Sequence, residues 1–443
     1  MPCRTHYLAF ALALTLLSTA PLHAAEYRAR DLAAYEAITA GTLQPGDTLI
    51  LEAGEWKDVS LLFKGEGTQE KPITLKAALP GQVRLTGNSS LRLAGSHLIV
   101  EGLWFHNAFP EKSDIITFRE DSKKLASHCT LRECAIIQDV VSADKKERKW
   151  VSLYGAGHHV ERCHFEGKTS KGTLLVVWLP EAGGEPPKHR VEKNHFGPRP
   201  RLGKNGGEII RVGDSDTSMQ SAACVISGNL FEKCDGEVEC ISNKSCDNRY
   251  VGNTFLECQG TITLRHGNRC LVEHNWFDGK HRKETGGIRV IGEDHVVRGN
   301  VLRGLEGDGA RSALCLMNGM VDSPANGYFQ VKKAVLQGNW VEDCKHCLLI
   351  GHADKDVKAP LAPVDCVIEG NTFLGREKSR IVDLADPSVG IQWKNNLMHG
   401  GDPGIPPDAG IQIAGERPTR TASASQVRPL QRKEVGTSWL PAK

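Results

Sequence analysis

A short phrase recurs along much of the chain and constrains its fold more than any other feature. It consists of an apolar residue, any residue, one of Gly, Glu, His or Lys, then Asn, any residue, and Phe or another apolar residue. Clear copies end at Phe196, Phe231, Phe255, Phe277, Leu302, Val341, Phe373 and Leu397, and weaker copies end at Phe105 and Phe165. The clear copies are 35, 24, 22, 25, 39, 32 and 24 residues apart. This period, with alternating apolar positions, predicts the coils of a parallel β-helix with insertions in some coils.

Two other repeat architectures fit the phrase less well. Leucine-rich repeats have a similar period, but their leucine and asparagine spacing is absent, and propeller blades need about four strands each. In a β-helix, the Asn two places before each terminal residue suits a tight bend, and stacked copies can form a ladder from coil to coil.

The repeat predicts an all-β, single-domain β-helix over residues 26–400, because no linker interrupts it. The segment from Asp31 to Ala40 is predicted to be a short amphipathic helix that caps the N-terminal end. After Gly400 the chain becomes rich in Pro, Gly and Ser. We therefore expect residues 401–443 to form a covering segment of the same domain with little regular structure.

The first 25 residues have the pattern of a secretory signal peptide. Arg4 precedes an apolar run from Tyr7 to Leu22, and the small residues Ala24 and Ala25 follow. The alternative, a membrane anchor, is disfavoured because the run falls short of the roughly 20 apolar residues that a span needs. We expect cleavage at Ala24 or Ala25, a periplasmic or secreted protein, and no membrane span after removal.

Thirteen cysteines remain after this segment, an odd number, so at least one thiol must be unpaired. Cys234, Cys246, Cys258 and Cys270 recur every 12 residues, as a repeat would place them. Cys344 and Cys347 form a lone CxxC pair without a second pair to complete a zinc site. Packed interior thiols are the expectation.

Charge is nearly balanced, with 55 Lys and Arg against 53 Asp and Glu. This balance disfavours a polycation that wraps nucleic acid, so no nucleic-acid partner is expected. Any polyanion must therefore bind at a local site.

Acidic residues are concentrated where such a site could form. Glu237 and Glu239 lie on one face of a strand, and the segment containing Asn205 and Glu208 lies at a similar place on the preceding coil. Like charges this close need a cation, and a set of oxygen ligands favours Ca²⁺ over zinc. The alternative is a solvated acidic strand face.

Basic residues follow on the same flank. Lys244 and Arg265 are 21 residues apart, about one coil, and Arg289 extends the row by another coil. Each alone could be an ordinary solvated cation, but the row beside the carboxylates suits an acidic polymer lying along the helix. Ca²⁺ beside a lysine also suits abstraction of the weakly acidic proton next to a uronate carboxylate, followed by β-elimination.

At these residues the chain resembles polysaccharide lyase family six, the chondroitinase B and alginate lyase family. The resemblance lies in NGGE (205–208), EVECISNKSCDN (237–248), LRHGN (264–268) and GGIRVIGEDH (286–295), and extends in weaker form from Tyr27 to Gly319. It implies a right-handed parallel β-helix. It also implies Ca²⁺ on Asn205, Glu237 and Glu239 with Glu208 nearby, Lys244 as Brønsted base and Arg265 as Brønsted acid.

Arginine is effectively always protonated, which conflicts with a role as full proton donor. We expect Arg265 to stabilise the departing oxygen while a water delivers the proton. His266 is a candidate to assist. Candidate contacts to sugar carboxylates are Arg289, Arg311, His281 and Arg282.

The sequence thus predicts a Ca²⁺-dependent lyase that cleaves a 1,4-linked polyuronate, with alginate the first choice and dermatan or chondroitin sulfate the second. A non-catalytic carbohydrate-binding solenoid and a glycoside hydrolase on a similar fold are the alternatives. Lys244 and Arg265 disfavour the former, and the latter would need paired carboxylates without Lys or calcium. The insertion behind the 39-residue spacing is expected to shape the ends of the cleft, and both a monomer and a dimer are compatible.

Overall fold

Three long parallel sheets make up almost all of the regular structure. The computed structural model describes residues 24–142, 146–180, 183–386, 390–406, 409–420 and 426–441. Two sheets have 14 strands and one has 13, and strands that are neighbours in each sheet come from successive coils. The predicted all-β parallel β-helix is confirmed. Of the predicted signal peptide, residues 1–23 lie outside the described residues.

We number the sheets in the order in which each coil visits them. Sheet 1 contains the strands Glu26–Ala29, Thr48–Leu51, Ile73–Ala77, Leu98–Glu101, Thr130–Arg132, His159–Glu161, Arg190–Glu192, Val225–Ser227, Arg249–Val251, Leu271–Glu273, Val296–Arg298, Val335–Gln337, Val367–Glu369 and Gln392–Lys394. Sheet 2 contains Gly54–Lys57, Val83–Gly87, Leu103–Ala108, Ala135–Ile137, His164–Glu166, His195–Phe196, Leu230–Glu232, Thr254–Leu256, Trp276–Asp278, Val301–Arg303, Trp340–Glu342, Thr372–Leu374, Asn396–His399 and Ile411–Ile413.

Sheet 3 carries the candidate site. Its strands are Ser60–Glu66, Ser90–Ser96, Ile116–Thr117, Ala126–Ser127, Val151–Leu153, Leu175–Val177, Ile210–Gly213, Glu239–Lys244, Thr261–His266, Ile288–Val290, Leu314–Met317, Leu348–His352 and Val382–Leu384. Short 3₁₀ turns lie at Gly309–Arg311 and Arg432–Glu434.

The aromatic residues of the repeat stack inside sheet 2. Phe196, Phe231, Phe255 and Phe277 are register partners in turn. Their ring centroids are 4.5 to 4.7 Å apart and the rings are nearly parallel. The predicted last member, Leu397, is wrong by one residue, because Phe373 is the register partner of Met398. Each coil therefore buries the last residue of its phrase against the same position of the next coil.

The repeated asparagines form the predicted ladder at the corner between sheets 1 and 2. It runs through Asn194, Asn229, Asn253, Asn275, Asn300, Asn339, Asn371 and Asn396. Each side-chain carbonyl accepts from the backbone N–H and the side-chain NH₂ of the preceding member, as Asn275 does from Asn253 at 2.9 and 3.0 Å. The residue before each asparagine has positive φ, which explains the frequent glycine there. Asn395 fills this turn position in the last copy, so the ladder residue is Asn396 and the buried apolar residue is Met398.

The interior is one continuous apolar core that extends from Ala29 to Met398. The predicted N-terminal helix is present as Leu32–Thr39. Asp31 caps it by accepting the Ala34 N–H at 2.8 Å, and Tyr35 is its buried residue.

All cysteines in the described part of the chain are unpaired and buried, thirteen in number. Cys234 and Cys258 lie in one column of corners, where the Cys234 backbone N–H approaches the Cys258 Sγ at 3.5 Å. The prediction of packed interior thiols is confirmed.

The C-terminal segment adds a strand and then returns along the protein. Ile411–Ile413 pairs with Asn396–His399, so the coils continue past residue 400. The chain then crosses the outer side of sheet 2: the Leu430 N–H donates to Thr254, and the Trp439 indole N–H donates to the Glu133 carbonyl. It thus covers coils far earlier in the sequence. No helix among the described residues is long and apolar enough to cross a membrane.

Buried histidines make the fold sensitive to acid. Burial lowers the pKa of His158 and of His295 from 6.5 to about 4. The unfolded chain takes up these protons below pH 6.5, but the folded chain does so only near pH 4. The free energy of unfolding should therefore fall as pH falls through this window, by up to about 1.4 kcal/mol per pH unit per histidine.

The pH dependence of the free energy of unfolding can be measured by denaturant unfolding at several pH values between about 7 and 4.5, which is roughly the range over which histidine titrates. His158→Gln should reduce the slope of stability against pH, whereas His274→Gln, at an exposed position, should not. Equal slopes in both variants would contradict the assignment.

Candidate functional site

Two loops at the entrance to sheet 3 bring the predicted acidic residues together. A Cβ on Gly207 would lie 2.4 Å from the Gly236 backbone, and a Cβ on Gly236 would lie 2.1 Å from the Gly207 carbonyl oxygen. Only glycine permits this approach, which sets Glu208 beside Glu237. Burial, together with the charges of Glu208 and Glu239, raises the pKa of Glu237 to about 9. The cluster is therefore short of positive charge.

Arg199 lies buried beneath these loops and holds them by their backbones. Its guanidinium donates to the carbonyl oxygens of Glu208 (2.6 Å), Gly172 (2.9 Å), Gly206 (3.0 Å) and Ser170 (3.2 Å). Burial lowers the pKa of Arg199 to about 10, against the opposing effect of Glu208 and Glu237. Sequence reasoning missed this residue, although an arginine between two prolines (198–200) in a repeat protein was a usable signal.

The donor set suits a hard cation, but it is not closed around one. Glu208, Glu237 and Glu239 repel one another, and Asn205 is exposed on the adjacent loop. In the described residues, no group of three or more His, Cys, Asp or Glu side chains is already gathered to hold a metal ion. Carboxylate and amide oxygens are nonetheless the ligands that Ca²⁺ prefers. The donor atoms of these residues are therefore of the kind that binds Ca²⁺, and their side chains would have to move together to coordinate the ion.

Lys244 and Arg265 are neighbours on successive coils, displaced by a β-bulge. The register passes from Asn243 opposite Leu264 to Lys244 opposite His266, so Arg265 is the extra residue. The buried amide of Asn243 stabilises the bulge: it donates to the His266 carbonyl at 2.8 Å and accepts from Tyr250 at 2.7 Å. A bulge redirects a side chain, here that of Arg265. The predicted side-by-side alignment is thus off by one residue.

The three side chains at this point differ in their surroundings. The Lys244 ammonium has no hydrogen-bond or ion-pair partner among the described residues and is half-buried. Burial, with the charges of Arg265 and Lys244, lowers the pKa of His266 to about 3, so its imidazole is neutral. Burial also lowers the pKa of Arg265, whose Nε lies 3.8 Å from Glu239.

A loop from the insertion behind the 39-residue spacing covers Arg265; that it shapes the ends of the cleft stays a prediction. Asn326 and Gly327 accept from the Arg265 guanidinium through their carbonyl oxygens, and the guanidinium lies 4.1 Å from the centre of the Tyr328 ring. Tyr328 donates to Asp354 at 2.7 Å. Sequence reasoning missed Tyr328 and Asp354, because nothing in the repeat marks which insertion residue folds back.

Arg289 belongs to the same network. It donates to Tyr328 at 3.1 Å and to Asp354 at 2.9 Å, and it lies 3.9 Å from Glu239. Its register partner is Thr263, which lies before the bulge at Arg265, so Arg289 does not continue the row of Arg265 as predicted.

The remaining predicted contacts lie at the corner between sheets 2 and 3. Arg311 donates a hydrogen bond to the Gln259 carbonyl at 2.9 Å and interacts electrostatically with Glu237. Arg282 is paired with Asp235 at 2.6 Å, and His281 lies 3.2 Å from Glu306. These last two side chains are engaged with carboxylates of neighbouring coils, so the structure does not bring them to Lys244. Their contact with sugar stays a prediction.

Comparison with protein families decides the membership of the chain. The chondroitinase B family model matches residues 33–425, which is most of the sequence. The chain belongs to the chondroitinase B family. A search of curated proteins finds no match.

Solved structures agree with this membership. The PL6 family alginate lyase AlyGC is 35% identical with a TM-score of 0.87 over 94% of this chain, which spans only 59% of AlyGC. A mannuronic acid specific family 6 lyase from human gut microbiota is 27% identical with a TM-score of 0.83, covering 94% of this chain and 97% of that one. Pedsa3628, a PL6 polysaccharide lyase from Pseudopedobacter saltans, is 27% identical with a TM-score of 0.72, covering 94% and 99%.

Replacing Arg199 tests its support of this chondroitinase B family site. Arg199→Leu removes the donor to four carbonyl oxygens and a buried cation that interacts with Glu208, and should lower the free energy of unfolding by about 3–5 kcal/mol. Denaturant unfolding measures the loss. Arg201→Leu, at an exposed arginine paired with Glu284, should cost less than about 1 kcal/mol. Similar losses in the two variants would contradict the role of Arg199.

Proposed function

We propose that the protein is a polysaccharide lyase that cleaves a 1,4-linked polyuronate, alginate first, by β-elimination. The observation that carries the proposal is the arrangement of Lys244, which has no carboxylate partner in the described part of the chain, beside the redirected Arg265. β-Elimination needs a base at the C–H bond and a hydrogen-bond donor at the departing oxygen of the same sugar linkage. Two adjacent side chains on one sheet face can supply both. The alginate lyase named among the similar structures supports the choice of substrate.

In the proposed reaction, Lys244 acts as the base and takes the proton from C5 of the uronate. The C–H electron pair becomes the C4=C5 double bond, the C4–O bond breaks, and the departing oxygen receives a proton. The products are a new reducing end and an unsaturated uronate at the new non-reducing end. No water is consumed overall, which distinguishes elimination from hydrolysis.

Arg265 is proposed to stabilise the departing oxygen. Its guanidinium keeps its charge, so it donates a hydrogen bond while a water supplies the proton. The contacts with Asn326 and Gly327 fix its orientation. His266, neutral and buried, adds no competing charge next to the Lys244 amine. Lys244 and Arg265 thus act from adjacent coils held at one spacing.

Calcium is proposed to bind Glu237, Glu239 and Asn205, with Glu208 beside them. The mutual repulsion that raises the pKa of Glu237 supports a cation at this place. When bound, the ion would neutralise the uronate carboxylate and stabilise negative charge as it develops. Export through the N-terminal segment is part of the same proposal, because a polymeric substrate is met outside the cytoplasm.

Turnover tests the lyase proposal. The ultraviolet absorbance of the conjugated product should rise with alginate, polymannuronate or polyguluronate. Lys244→Ala should lower kcat about a thousandfold, because the base is lost. Lys64→Ala, at an exposed lysine on the same sheet, should not change it.

A signal with dermatan sulfate alone would replace alginate by the second substrate. Sugar release without new absorbance would indicate a hydrolase. A near-normal rate for Lys244→Ala would remove Lys244 from the reaction.

Calcium binding can be measured without turnover. Titration calorimetry should detect binding to the full chain, and saturating Ca²⁺ should raise the melting temperature, since a ligand at 100 times its Kd adds about 2.7 kcal/mol. Glu237→Gln and Glu239→Gln should weaken both effects, whereas Glu55→Gln, at an exposed strand position, should not. No heat and no shift with the unaltered chain would return the glutamates to a structural role.

A further inference from the structure

A second polar cavity opens on sheet 3, several coils before Lys244. Its volume is about 500 Å³, and its walls include Arg92, Lys112 and Arg119. Hydroxyl groups also line it, from Ser60, Ser90, Ser113, Thr117 and Ser122. Cations mixed with hydroxyls suit an acidic sugar, which offers both carboxylate and hydroxyl groups.

Three cations of this cavity, Arg92, Lys112 and Arg119, form no salt bridge with a carboxylate among the described residues. Arg92 donates to the Glu120 backbone carbonyl at 3.0 Å, and the Arg119 guanidinium lies 3.6 Å from the centre of the Tyr154 ring. Lys112 is exposed. Elsewhere on the coils, arginines commonly pair with acids, as Arg132 does with Glu101 at 2.7 Å.

The acidic residues of the cavity are engaged with other groups. Asp114 accepts from the Ser152 hydroxyl at 2.7 Å and from a backbone N–H. Asp121 accepts the backbone N–H of two following lysines, and Glu120 pairs with Lys124 at 3.3 Å. With Arg148, the walls carry four cations against three carboxylates, so the cavity has a net positive charge for a ligand.

A row of stacked side chains joins the cavity to the Lys244 site. Tyr154 and Trp178 stack with their ring centroids 5.7 Å apart, and the Arg211 guanidinium lies 4.9 Å from the Trp178 ring. Arg211 is the register partner of Ser242, on the strand that ends at Lys244. From Tyr154 to the strand of Lys244 the row crosses three coil spacings, about 14 Å at the usual strand separation.

We propose that this cavity is a distal site for carboxylate-bearing sugar residues of the same polysaccharide chain that is cleaved at Lys244. The inference rests on the proposed function. Binding one chain at two places makes the second contact intramolecular, so long substrates gain affinity that short ones cannot. The distal site therefore selects for substrate length.

The double variant Lys112→Ala/Arg119→Ala tests the proposal in the full chain. Its KM for polymeric alginate should rise about tenfold with kcat unchanged, because two charge-assisted contacts are lost. The KM ratio to the unaltered protein should fall toward one as oligomers become too short to span the row. Lys57→Ala/Arg84→Ala, two exposed cations on sheet 2, should show a ratio of one at every length.

A ratio that stays near one for the polymer, or that is the same at every length, would overturn the distal site. If the double variant does not fold, Lys112→Ala alone is measured, since its side chain is exposed. If the unaltered protein turns over no polyuronate, the proposed function fails separately. Calorimetric binding of polyuronate to the unaltered and double-variant chains then decides: weaker binding to the variant supports the site, and equal or undetectable binding overturns it.

Discussion

The requirement that each coil match the hydrogen-bonding positions of the next governs the whole molecule. Three strands of every coil must lie opposite those of its neighbours, and at the corner between sheets 1 and 2 a buried amide must meet another buried amide. An unsatisfied buried amide costs about 1–3 kcal/mol, so the ladder tolerates few other side chains. The coil between Leu302 and Val341 can contain a long insertion because the insertion leaves before the ladder position Asn339 and the chain returns to it.

The site follows from this constraint. Glu208, Glu239 and Arg265 are far apart in the sequence but lie on three successive coils. Glu208 lies just before the strand Ile210–Gly213, and this strand and the strands that carry Glu239 and Arg265 are successive neighbours in sheet 3. Sheet hydrogen bonding fixes the spacing along the axis. The bulge opposite Asn243 and Lys244 sets the direction of the Arg265 side chain. The contact between Gly207 and Gly236 sets Glu208 beside Glu237. The chemistry thus depends on two local departures from a regular lattice.

Much of this was accessible from the sequence, and the errors have physical reasons. The Phe and Asn positions were predictable because burial and hydrogen bonding impose them on every coil. Leu397 was chosen over Met398 because Asn395 and Asn396 are adjacent, and only φ separates the turn residue from the ladder residue. The proximity of Glu208 to Glu237 was predictable from spacing, because the two segments lie at similar places on adjacent coils.

The alignment of Arg265 with Lys244 and Arg289 could not be found by counting residues. The bulge inserts one extra residue, Arg265, and the sequence does not mark where that extra residue falls. The contribution of Tyr328 was also hidden, because an insertion has no repeat to place it. Its position depends on packing of Tyr328 and Phe329 against a small apolar cluster around Ile291 and Met317.

The buried thiols have a consequence for how the protein must mature. Burial raises the pKa of Cys134, Cys224 and Cys270 to about 12, so the reactive thiolate is almost absent once the coils have closed. An unfolded chain has no such protection, and its cysteines are close enough in sequence to form wrong disulfides. In the oxidising compartment proposed for this protein, the coils would therefore have to close before the thiols oxidise, and burial would then protect the thiols of the closed coils.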